Sequence, residues 1–140
     1  MEKDDYYSKK DVDYIIVNDK EKQEKIIYLL FQGMWFLKQR SSNPLEMLRD
    51  FQFSDGTNMC GFEGMDCLLS DYFEPNEVGY FGEDNVFIYD GYTDEGFVMS
   101  ENDFYPYIEK YSNIYMEYNP DKKEEVLSCL KNIKKRFKIE

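Results

Sequence analysis

For sixty consecutive residues, from Asp50 to Glu109, the chain carries no lysine or arginine. The same stretch holds fifteen carboxylates: Asp50, Asp55, Glu63, Asp66, Asp71, Glu74, Glu77, Glu83, Asp84, Asp90, Asp94, Glu95, Glu101, Asp103 and Glu109. Residues 1–49 balance nine basic side chains against nine acidic ones, and residues 110–140 carry eight against five, so the net charge of −12 arises in the middle. Carboxylates without compensating cations repel one another in the folded state, which costs stability that a purely structural surface has no reason to spend. A field of this sign speeds encounter with a cationic partner and disfavours nucleic acid and phospholipid head groups. The bland alternative is a solubility surface. Against it, the stretch also holds Tyr72, Phe73, Tyr80, Phe81, Phe87, Tyr89, Tyr92 and Tyr105, and aromatics mixed with charges mark protein-binding surfaces.

A length of 140 residues fits one domain, residues 1–140, long enough to bury a core. The apolar fraction of 42%, with 13 Tyr and 11 Phe, predicts a folded chain despite its charge, although residues 1–13 have no period and are expected to be loose. The longest mostly apolar run, from Ile26 to Leu37, is interrupted by Gln32 and is shorter than the roughly 20 residues a bilayer requires. The acidic N-terminus lacks the apolar core of a secretory signal, so the expected location is the cytoplasm. Cys60, Cys67 and Cys129 form no CxxC pair. They are expected to be buried thiols, with a Cys60–Cys67 bridge as the minor alternative should the protein be exported.

Periodicity sets out the elements. Asn18 or Asp19 caps a first helix whose apolar face is Ile26, Ile27, Leu29, Leu30, Met34 and Leu37, with Gly33 weakening its middle. Asn43-Pro44 starts a short second helix carrying Leu45, Leu48 and Phe51. The stretch from Phe53 to Gly64 reads as a loop, and Met65 to Phe73 as containing a further short helix. Three β-prone runs follow, Glu77 to Phe81, Val86 to Asp90 and Gly96 to Ser100, separated by turn formers. Two successive hairpins would join them in an antiparallel meander. Ser100 caps a helix with Phe104, Tyr107, Ile108 and Tyr111 inward and Pro106 marking a slight kink. Asn119-Pro120 starts the last helix, with Val126, Leu127, Leu130, Ile133 and Phe137 on the core and a basic end that the helix dipole favours. The expected fold is α+β, a small three-stranded antiparallel sheet packed against four to five helices.

The parts of most enzymes are missing. No histidine occurs in the chain, which excludes Ser-His-Asp and Cys-His arrangements and histidine-based metal sites. Cys60 and Cys67 lie among acidic residues, where nothing lowers a thiol pKa. Asp55-Gly-Thr-Asn58 and the run from Asp90 to Glu95 resemble calcium loops but lack Gly at the sixth place and Glu at the twelfth. No phosphate cradle of the GxxxxGK[ST] or GxGxxG kind is present. No cofactor and no metal are expected. Carboxylate pairs such as Asp94/Glu95 or Glu74/Glu77 could in principle serve a hydrolase, but among fifteen acids such pairs arise by chance.

An ordered succession of short features runs from Leu69 to Tyr118: Asp71-Tyr-Phe, Asn76-Glu-Val78, Tyr80-Phe81-Gly82, Val86-Phe87, an acidic turn around Glu95, Val98-x-Ser100 and Phe104-Tyr105-x-Tyr107. It resembles the immunity proteins of bacterial contact-dependent growth inhibition (CDI), in particular those acting against ribonuclease toxins. The longer N-terminal stretch and the loop from Cys60 to Cys67 depart from the family pattern and leave the subgroup and the cognate toxin open. The resemblance implies a non-enzymatic protein that binds the basic nuclease domain of a toxin before it cuts RNA, without contacting nucleic acid or membrane itself. On the charge argument the toxin-contacting residues are expected to be Glu74, Glu77, Asp90, Tyr92, Asp94 and Glu95, at strand ends and hairpin turns. Two other readings compete: an acidic nucleic-acid mimic that inhibits a DNA-binding or restriction protein, and a two-carboxylate hydrolase, which would need one pair in a concave pocket with a raised pKa.

Overall fold

The computed structural model describes residues 14–35, 48, 59–62, 65–69, 74–77 and 80–139. Its strands are β1 (Ile15–Ile16), β2 (Met59–Phe62), β3 (Met65–Leu69), β4 (Asn85–Asp90) and β5 (Glu95–Ser100). Its α-helices, among the described residues, are α1 (Lys20–Trp35), α2 (Glu101–Tyr118) and α3 (Lys123–Arg136), the last entered through a 3-10 turn at Pro120–Lys122. The sheet runs in the order β1-β5-β4-β3-β2. Every neighbouring pair is antiparallel except β1, which lies parallel to β5.

The α+β class is as expected, but the sheet is larger and mixed. Met59–Phe62, expected as loop, is an outer strand despite Gly61. Met65–Leu69, expected as helix, is the strand that pairs β4. A five-residue segment with four apolar side chains suits a strand as well as a helix turn, and here the pairing on both sides decides. Of the run from Glu77 to Phe81, expected as the first strand, Val78 and Gly79 lie outside the described residues; Glu77 closes a turn with its backbone N–H on the Glu74 carbonyl at 2.9 Å, and Tyr80 and Phe81 lie outside the sheet. Gly82, at φ 104°, then redirects the chain into β4, a conformation that an L side chain rarely takes. Of the expected second helix only Leu48 is described, and it is helical and fully buried.

Alternation along the strands divides the apolar residues between two faces. Cys67, Leu69, Val86, Ile88 and Phe97 point to the helices and join Ile26, Ile27, Leu30, Phe31, Phe104, Ile108, Tyr111, Val126, Leu130, Ile133 and Phe137 in the main core. Leu68, Phe87 and Tyr89 point to the opposite face, where Phe81, Tyr80 and Tyr14 cover them. Gly96 permits that cover, since a Cβ there would stand 3.0 Å from the Ile88 carbonyl, 3.2 Å from the Tyr14 ring and 3.3 Å from the Phe87 ring. Cys67 and Cys129 are buried thiols, and Cys60 stands opposite Cys67 in the β2–β3 register.

The helix starts follow their sequence signals in part. Asp19 Oδ2 accepts the Lys22 N–H at 3.0 Å, and Ser100 Oγ accepts the Asp103 N–H at 3.0 Å. Asn119 instead ends α2, its N–H bonded to the Tyr115 carbonyl, while Pro120 opens the 3-10 turn. Pro106 sits inside α2, where it removes one backbone donor. Leu29 and Leu127, both expected to face the core, are exposed.

Helices α1 and α2 meet through tyrosines. The Tyr107 hydroxyl donates to Glu24 Oε2 at 2.8 Å, across 83 residues of sequence. Burial, then this bond to a carboxylate, pushes Tyr107 up to about 12. Burial also raises Tyr14, Tyr105, Tyr111 and Tyr115. An unfolded tyrosine ionises near pH 10, so between about pH 10 and 12 the unfolded state releases protons that the folded state retains. The stability these groups contribute is complete below about pH 10 and falls as pH rises toward 12. Urea midpoints are therefore expected to drop steeply above about pH 10, and Tyr107→Phe is expected to flatten the drop; an unchanged slope would refute the assignment.

Candidate functional site

Ten of the fifteen middle carboxylates have described side chains. Glu74, Glu83, Asp84, Asp94, Asp103 and Glu109 are exposed, Glu77 and Glu95 half-buried, and Asp90 and Glu101 buried. Seven of them lie at the two ends of the β4–β5 hairpin. Asp94 and Glu95 occupy the connecting turn, while Glu83, Asp84 and Asp103 lie where β4 begins and α2 starts, joined by the Glu101 N–H donating to the Asp84 carbonyl at 2.8 Å. A six-residue strand keeps these ends roughly 17–20 Å apart. The acid is thus presented as two groups joined by a rigid ladder.

The turn is held from inside. Asp90, at 5% exposure, turns its carboxylate inward: Oδ1 accepts the Tyr92 N–H at 2.9 Å. Asp94 adopts φ 59°, a left-handed conformation that Asp tolerates, and its Oδ1 accepts the Tyr89 hydroxyl at 2.6 Å. Its carbonyl accepts the Ile15 N–H, which ties β1 to the turn. With both flanks fixed, Tyr92 projects outward at 76% exposure.

Four of the six residues expected from the sequence, Asp90, Tyr92, Asp94 and Glu95, therefore meet at one turn, with Asp90 and Glu95 as register partners. Their chemistry differs. Asp90 has little surface to offer a partner. Glu95 is already paired: the Lys22 ammonium bridges to its Oε2, and that bond, followed by one from Thr93, holds its carboxyl below the usual range. Nothing in the sequence between Lys22 and Glu95 signals this pair. Asp94 and Tyr92 remain outward. Glu74 and Glu77 form a separate turn in which Glu77 Oε1 accepts the Glu74 N–H at 2.7 Å. Among the residues whose side chains are described, no group of His, Cys, Asp and Glu could hold a metal ion. No described helix is long and apolar enough to cross a membrane.

A sequence profile described as CDI immunity protein matches residues 23–130, more than three quarters of the chain. The chain belongs to the CDI immunity protein family. The match extends well beyond the segment from Leu69 to Tyr118 and takes in most of α1 and the first half of α3. No curated protein and no solved structure is matched. As a CDI immunity protein, the chain confers immunity to a CDI toxin and takes part in competition between bacteria.

Proposed function

We propose that this CDI immunity protein acts in the cytoplasm, without catalysis of its own, by binding a cognate toxin whose active domain is a nuclease that cuts RNA. The observation that carries the proposal is the sixty-residue stretch from Asp50 to Glu109 without a single cation. A nuclease that grips polyanionic RNA needs a basic cleft, and carboxylates interspersed with tyrosine can occupy such a cleft in place of phosphate. Tyr92 and Asp94 at the hairpin turn, with Glu95 beside them and Glu74 and Glu77 at the second turn, are the proposed contact groups. Asp90 supports the turn from within.

Expression of a candidate CDI toxin domain, with and without this chain, tests the proposal. Growth is expected to recover with the chain, a stable complex to elute from a sizing column, and RNA cleavage by the purified domain to stop when the chain is added. A nucleic-acid mimic would also inhibit unrelated basic nucleases, whereas the proposed protein leaves them active. If the matched toxin kills cells and cuts RNA regardless, the proposal is lost.

A further inference from the structure

The β4–β5 turn, residues 91–94, is exposed along its whole length. An exposed turn with no support from outside itself samples several conformations. This one is gripped from three sides. Glu95 lies two residues before Phe97 on β5 and so shares the face that packs on the helices, where the Lys22 ammonium of α1 holds its carboxylate. On the far face the buried Tyr89 donates its hydroxyl to Asp94 Oδ1 at 2.6 Å. Tyr14 stands edge-on to Tyr89 and to Phe87, with ring centroids 6.3 and 5.0 Å apart. Along the margin of the sheet, the Ile15 N–H donates to the Asp94 carbonyl and the Val17 N–H to the Gly96 carbonyl.

Two of these grips, the margin and Lys22, share one anchor. Residues 14–22 run without a break from β1 into α1. The corner is stiffened by Gln23 Nε2, which donates to the Val17 carbonyl at 2.7 Å, and by the Asp19 cap. Val17 is buried, and α1 seats Ile26, Ile27, Leu30 and Phe31 in the main core. The turn is thereby tied to a helix that cannot shift without disturbing that core. The six residue pairs of the β4–β5 ladder already fix the two strands, so the outside ties act on the turn itself. They hold Asp94 at φ 59° with one carboxylate oxygen bound.

We infer that Lys22 and Tyr89 are positioning residues for toxin binding: together with residues 14–17 they hold the β4–β5 turn of the free protein in the conformation that the toxin meets. This rests on the proposed contact role of Tyr92 and Asp94 and adds how those groups are kept ready. Lys22 and Tyr89 act through the turn and need not touch the toxin. A turn ordered beforehand spares the complex the entropy of ordering it on contact. Apparent affinity falls in proportion to the fraction of molecules whose turn is in the competent form.

The test compares Lys22→Met, Lys22→Arg and Tyr89→Phe with Lys25→Met, which removes the same charge from the exposed surface of α1 about one helical turn away. Affinity is measured for the CDI toxin domain against which the chain protects growing cells, made as a nuclease-inactive variant. Amide hydrogen exchange and thermal unfolding are measured on each free protein. Lys22→Met and Tyr89→Phe are each expected to weaken binding roughly tenfold, as when the competent fraction falls to about a tenth. Exchange of the Tyr92 and Ile15 amides is expected to quicken by about as much. Lys22→Met is expected to keep Tm within about 3 °C of the parent, because an exposed ion pair contributes little to global stability, and Lys22→Arg to bind and exchange like the parent. Charge alone predicts the opposite sign: loss of a cation makes the protein more negative, which favours a basic toxin, and Lys25→Met measures that effect by itself. Should Tyr89→Phe fail to fold, Lys22→Met, at its exposed position, decides alone. A Lys22→Met protein that binds as tightly as Lys25→Met, or a turn that exchanges faster with no loss of affinity, overturns the positioning role and leaves the proposed function standing. A parent chain that binds no toxin domain overturns both.

Discussion

Phe31→Ala is expected to remove about 3–5 kcal/mol of stability, the range for deleting a large aromatic from a closed core. Phe31 is fully buried on α1, its ring stacked on Tyr111 at 5.0 Å and 12° and tilted against Phe104 at 6.0 Å. Truncation to a methyl group would leave a void bounded by two rings on α2 that cannot both collapse into it, so the loss includes a cavity contribution. Against the roughly 5–15 kcal/mol that holds a typical domain together, this brings the chain close to its unfolding threshold. Lys25→Ala, on the exposed side of the same helix, is expected to change stability by no more than about 0.5 kcal/mol. Urea unfolding of both variants measures the difference. A loss below about 1 kcal/mol at Phe31 would mean that α1 does not pack on α2 through these rings.

The association rate with the toxin domain is expected to fall roughly 10- to 1000-fold between low and high ionic strength, the dissociation rate changing far less. The net charge of −12 acts at a distance, and salt shortens that distance to about 10 Å at 0.1 M. Groups at the two ends of the β4–β5 hairpin contribute together only while the screening length approaches their separation. Stopped-flow mixing over a salt series gives the rate directly, and a rate that ignores salt would remove the electrostatic role assigned to the acidic stretch. Asp94→Asn is expected to reduce the slope of that dependence. Asp90→Asn is expected to leave the slope nearly unchanged and to lower stability instead, because Asp90 faces the Tyr92 backbone rather than the solvent.

These contrasts mark how far the sequence could be read. Features set by a residue and its near neighbours were legible: Asp19 and Ser100 cap their helices, the β4–β5 hairpin and its register follow from two β-prone runs, and the inward stripe of Phe104, Ile108 and Tyr111 lies as its spacing requires. Features set by partners far along the chain were not. Met65–Leu69 becomes a strand because β4 and β2 flank it, and its own five residues carry no mark that separates strand from helix turn. Phe81 has the composition of a strand residue but is used as a lid over Leu68 and Phe87 on the far face. At the hairpin turn the sequence located the acidic group, yet it could not separate Asp94, which stays exposed while accepting the Tyr89 hydroxyl, from Asp90, whose carboxylate the turn consumes, or from Glu95, which Lys22 partners. The exposure of Ile15 and Ile16 was likewise hidden, since alternation alone assigns one of any adjacent pair to the interior.

The parallel seat of Ile15 against Glu95 fixes an order of events during synthesis. The first strand to leave the ribosome has to wait for a neighbour that is translated eighty positions later, about 4 to 16 s at ordinary elongation rates of roughly 5–20 residues per second. Until β5 has emerged, β1 has no strand to pair with, and a nascent chain stopped short of that point lacks the sheet's parallel edge.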